Sequence, residues 1–201
     1  RTSVHAMELS LRAQCRHYMA EVASWQPDGW RDAVLWTQRL LDLPALQQLL
    51  MGEAAARWVL EDPMLRPFAT ENLRARIERL QESDCAPLVQ AWQQGVPLLE
   101  GWQQRWQRLW PKMPGTMTMP LEQLAVHLQH HIDTLRPDGG SENSPRVCEV
   151  LAEKLVYQFR RHSHQPATAF LHLALVALDL QQLRGALVRR ALFPERIEEN
   201  P

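Results

Sequence analysis

The sequence predicts an all-α protein, on three observations. Apolar residues recur at three- and four-residue spacing along most of the 201-residue chain. No segment alternates apolar and polar residues with the β-branched enrichment of a strand. Prolines fall between the periodic segments, where they suit short connections between helices. The pattern predicts about nine or ten antiparallel helices in a bundle of helical hairpins, either as one body or as two lobes joined near 136–145.

Val4, Met7, Leu11, Cys15, Tyr18 and Val22 share one face of a first helix, which Thr2 or Ser3 can cap. Trp25-Gln-Pro-Asp-Gly29 ends it, and Asp28 can cap a second helix over 30–41. Pro44 suits the first turn of a third, running to about Leu60. Asp62-Pro63 and Pro67 break the chain before an Arg-rich helix over 68–81. Gly95 and Pro97 divide 87–110 into two helices or kink one, and 111–115 read as a loop.

Leu121, Leu124, Leu128, Ile132 and Leu135 form the cleanest apolar stripe. Residues 136–145 (RPDGGSENSP) carry no large apolar side chain and predict a linker. Cys148, Leu151, Leu155 and Phe159 mark the next helix. A helix over 167–180, apolar on nearly every side, is expected at the centre of a core, followed by a last helix over about 182–192. The expected domain plan is a bundle over 1–135, a linker over 136–145, helices over 146–193 packed on the same core, and an exposed tail over 194–201.

Composition narrows the function. Charged residues make up 22% and balance to a net charge of -1, so no global field draws nucleic acid or an anionic surface. The longest uncharged apolar run, 165–178, is shorter than the about 20 residues a bilayer requires. No basic-then-apolar leader pattern opens the sequence, and a cytoplasmic location without membrane insertion is expected. Cys15, Cys85 and Cys148 are too far apart for a Cys-x-x-Cys motif and read as buried thiols. No glycine-rich phosphate loop, Ser-His-Asp set or paired-carboxylate motif stands out, so neither enzymatic activity nor a cofactor is expected.

Four groups of side chains remain as candidates. His127 and His131 are four apart on a helix and could share a metal, with His130 pointing roughly the opposite way. A metalloprotease would need Glu at position 128, which is Leu, and the alternative is histidines flanking a core stripe. Arg160-Arg161-His162-Ser163-His164 could meet phosphate, or could simply complement the C-terminal end of a helix. Arg66, Arg74, Arg76 and Arg79, with Arg184, Arg189 and Arg190, could contact nucleic acid if they converge. Interleaved acids, such as Glu78 opposite Arg74, fit a solvated helix face equally. Trp102, Trp106 and Trp110 recur every fourth residue as an aromatic ridge suited to a core or an interface. Trp25, Trp30 and Trp36 could form a second patch.

The segment from Trp92 through Gly95, Leu98, Leu99, Trp106 and Trp110 to Pro111 resembles the ImpA-type domain of TssA and VasL-like type VI secretion proteins. The later Phe159-Arg-Arg-His162, followed by Pro166 and an apolar helix, is also similar to helical hairpins in that family. The resemblance implies a non-enzymatic scaffold that self-assembles and docks on other components of a bacterial secretion machine. The expectation is therefore a helical protein-interaction module. Trp92, Trp102, Trp106, Trp110, Arg74, Arg76 and Arg79 are its expected contacts. A nucleic-acid module on the Arg-rich face and a metal-dependent enzyme on His127 and His131 are the alternatives.

Overall fold

In the computed structural model, the described residues are 4–134 and 144–192. Among them are ten α-helices, two short 3-10 turns and no strand, as the periodicity predicts. The chain divides into two units, Arg1–Pro111 and Lys112–Pro201.

The first unit holds α1 (Val4–Ser24), α2 (Asp28–Trp36), α3 (Leu43–Leu50), α4 (Arg57–Glu61), α5 (Leu73–Gln81), α6 (Ala86–Gln93) and α7 (Leu98–Arg108). The 3-10 turns Thr37–Leu41 and Arg66–Phe68 lie between helices. Helix α1 packs on α2 and α4, α6 lies between α5 and α7, and α7 also meets α2 and α3. Val22, Val34, Leu46, Leu49, Leu50, Leu65, Leu80 and Leu88 are fully enclosed in this unit.

Three expected helices are shorter than their apolar patterns, the second giving way to the 3-10 turn after Trp36. The third stops at Leu50 because Gly52, at φ 81°, turns the chain. There the Glu53 N–H donates to the Gln48 carbonyl and the Gly52 N–H to that of Leu49, the paired bonds of a Schellman end. Gly95, at φ 78°, ends α6 by the same device, with Val96 N–H on Ala91 O and Gly95 N–H on Trp92 O. The Arg-rich helix starts at Leu73 rather than 68, because the Asn72 side chain accepts from the N–H groups of Arg74 (2.9 Å) and Ala75 (3.2 Å). Residues 87–110 form two helices, and Gly101 lets them cross closely: a Cβ there would stand 2.5 Å from that of Ala91.

The second unit is α8 (Gly115–Thr134), α9 (Ser144–Arg161) and α10 (Ala167–Leu192), each packed on the other two. Leu121, Leu124, Leu151, Leu155, Phe170 and Leu171 are at the centre of its core. This arrangement corrects the expected domain plan. The leucine stripe of α8 packs with α9 and α10, so the division falls after Pro111 and not at 136–145. Most of that expected linker (136–143) and the expected tail lie outside the described residues, while Ser144 already opens α9. The two helices expected over 167–192 are one. No proline or glycine interrupts the chain between Pro166 and Gly185, and Gln181 and Gln182 are compatible with a helix.

Candidate functional site

The tryptophan ridge is mainly core. Trp102 and Trp106 are buried, stacked with centroids 5.5 Å apart, and Trp110 meets Trp106 edge-on at 4.9 Å. The Trp36 indole N–H donates to the Trp102 carbonyl (3.0 Å), and Trp102 returns the bond to the Trp36 carbonyl (3.1 Å). These reciprocal bonds tie the end of α2 to α7 and satisfy two buried polar groups at each residue. Trp102 and Trp106 are therefore corrected from expected contacts to interior residues, as are Trp30 and Trp36. Trp92 and Trp110 are half-buried, and Trp25 stands exposed.

Nor does the Arg-rich helix of the first unit present a free cationic face. Arg76 is buried, and its guanidinium donates to the carbonyls of Leu49 (2.6 Å), Glu53 (3.1 Å) and Thr70. It thus serves the exposed carbonyl end of α3, and its place among partner contacts is corrected. Arg74 pairs with Glu78 at 3.0 Å on the surface, and Arg79 reaches the Pro67 carbonyl. Arg160 and Arg161 are exposed in the last turn of α9.

Sequence reasoning missed the densest charged cluster. Arg12 and Arg16, one turn apart on α1, converge on two buried carboxylates. Arg12 donates to Asp42 (2.6 Å), Asp62 (3.1 Å) and the Leu41 carbonyl (2.7 Å), with its guanidinium 4.7 Å from the Trp58 ring centroid. Arg16 donates to both Asp62 oxygens and to Asp42. Arg39 joins Asp42 to Asp84. Burial alone would push Asp62 up, but hydrogen bonds from Arg16, the Met64 N–H and Arg12 pull its carboxyl below the usual range. Every carboxylate oxygen of Asp42 and Asp62 is engaged within the fold, so the cluster is structural. The three cysteines are buried and free, and burial, first among several influences, pushes the Cys85 thiol to about 11.

The histidines form the other polar assembly, and here sequence reasoning found part of the site. A cavity of about 240 Å³ opens between α8 and α9. His127, His130 and His131 line it from α8, and Arg146 and Lys154 from α9, over an apolar floor that includes Val150 and Leu151. His130 faces this cavity with the other two, since positions three and four apart share a helix face, which corrects its expected opposite direction. His131 is only 7% exposed, and neither ring nitrogen has a hydrogen-bond partner. Burial lowers the pKa of both His127 and His131. Lys154 and then His130 add to the effect at His127, and His130 does so at His131. Among the described residues, no carboxylate lines the cavity and no group of three potential metal ligands is found. Arg146 and Lys154, which no motif search would pair with the histidines, set the charge of the site.

Helix α10 carries the third feature. Its first half is buried through Ala167, Phe170, Leu171, Leu173, Ala174 and Leu178, whereas residues 181–186 are all exposed. Residues 167–190 are long and apolar enough to cross a membrane by length and composition alone, an 18-residue stretch within them having a mean hydropathy of 1.2 with 17% of it buried. The uncharged run itself still ends at Asp179, inside the helix.

No protein-family model, curated protein or solved structure matches this chain.

Proposed function

We propose that the chain is a non-enzymatic helical interaction module, a scaffold or assembly subunit that pairs with a second copy of itself through the distal half of α10. One observation carries this. Val176, Leu180, Leu183 and Leu187 follow one another at spacings of four, three and four residues, continuing the seam from buried Leu173. That spacing keeps apolar side chains on one stripe, as in helices that pair along their length. Leu183 is 46% exposed, and Val176, Leu180 and Leu187 are half-buried, so the stripe is incompletely covered within the chain. Self-assembly of this kind also fits the scaffold role in a bacterial secretion machine that the resemblance of residues 92–111 implies.

Light scattering after size exclusion tests the proposal on the whole chain. A defined oligomer is expected for the native sequence. Leu183→Glu combined with Leu187→Glu is expected to give the monomer mass with an unchanged far-ultraviolet helical signal, because both positions already reach solvent. A native chain that runs as a monomer, or an oligomer that survives the double substitution, removes α10 as the contact.

A further inference from the structure

Among the described residues, none from α10 lines the α8–α9 cavity. We propose that it is a binding site for a small soluble phosphomonoester, with the phosphate held by Arg146, Lys154 and the ring of His131.

Charge is the first argument. Two cationic side chains and three imidazoles converge on one cavity, and among the described residues no acidic side chain lines it. Such a concave, like-charged lining concentrates anions and repels metal cations. The Lys154 ammonium is near enough to His127 to oppose its protonation, after the larger effect of burial, so the cationic groups act on a common space. A dianion offering several acceptor oxygens relieves that repulsion and can accept from donors on both helices, which a carboxylate does with two oxygens only.

His131 is the second, independent argument. An imidazole buried to 93% with both nitrogens unpartnered is costly. It lines the cavity, where a bound phosphate oxygen would accept a hydrogen bond from its ring N–H. The third argument is the floor. Val150 and Leu151 give the cavity an apolar side suited to the carbon skeleton of an ester.

Calorimetric titration of the whole chain with inorganic phosphate and with phenyl phosphate tests the proposal, and histidine side-chain NMR locates the site. Saturable binding of both is expected, with phenyl phosphate tighter and the His127 and His131 ring signals shifting. Arg146 and Lys154 are exposed, so Arg146→Gln and Lys154→Gln leave the fold intact, and each is expected to weaken binding about tenfold or more. His131→Phe is expected to abolish phosphate binding while raising the melting temperature of the free protein, since it removes an unpartnered polar ring from the interior. A structural histidine would give the second effect without the first. The proposal is overturned if neither phosphate shifts the histidine signals, or if binding survives both α9 substitutions. Histidine shifts produced by Zn²⁺ and not by phosphate also overturn it, in favour of a metal. Binding to phosphatidic acid vesicles without binding to phenyl phosphate excludes the soluble ligand.

Discussion

Asp62 shows how strongly single residues hold the first unit. Its two oxygens accept from Arg12, Arg16 and the Met64 N–H, and its side chain is 1% exposed. Asp62→Asn keeps the shape but removes the charge facing two guanidiniums. Breaking one side of a buried pair costs about 3–5 kcal/mol, because the partners stay buried without compensation. Urea denaturation followed by tryptophan emission is expected to show a loss in that range, and a change under about 1 kcal/mol would show the cluster to be energetically neutral. None of this was legible in the sequence. Apolar periodicity placed Arg12 and Arg16 only as neighbours of Leu11 and Cys15, and Asp62 read as a break before Pro63. Asp62 is indeed such a turn residue, and its second task depends on contacts 46 and 50 positions away that no local pattern encodes. His127 and His131, by contrast, were legible as a pair because their spacing is local. Their cationic neighbours were not, since Arg146 and Lys154 lie on another helix.

At the scale of elements, α6 and α7 cross closely at Gly101. Gly101→Ala gains about 1 kcal/mol of helix propensity. It also places a methyl group 2.5 Å from the Ala91 Cβ, a distance that forces the helix backbones apart. Overpacking of this kind costs about 1–3 kcal/mol, and here it also strains the paired Trp36–Trp102 hydrogen bonds that α7 carries. Net destabilisation is expected by thermal denaturation. Ala91→Gly in the same chain is expected to restore part of the loss, giving a coupling that two independent sites would lack. The helices that were legible are those whose stripe and stop signal agree. Helix α1 ends where Trp25-Gln-Pro interrupts its stripe, and α6 and α7 are divided by Gly95 and Pro97 as read. The errors fall where the two signals part. The third helix, expected to about Leu60, stops at the Gly52 turn, and the break expected near 181 has no proline or glycine to make it.

At the scale of the molecule, titratable groups and fluorophores are divided between the units. All eight tryptophans precede Lys112, so tryptophan emission reports the first unit, while helical circular dichroism reports both. The histidines with lowered pKa, His127 and His131, belong to the second unit, amid His130, Arg146 and Lys154. Each has a folded pKa below its ordinary value of 6.5, so the unfolded chain binds the proton more readily. That difference costs nothing well above about 6.5 and destabilises the fold increasingly as pH falls from there through the folded values. Asp62 is also held below its ordinary value, which is 3.8, so its contribution persists until far lower pH. In phosphate-free buffer between pH 7 and 4.5, the second unit is therefore expected to weaken while the first holds. Thermal unfolding by circular dichroism should acquire an earlier phase that tryptophan emission does not follow. Addition of phosphate should push that phase back up, because an anion between the helices favours protonated imidazole. A single transition seen identically by both probes across this range would show that the units unfold as one, and that the histidines do not govern the acid response.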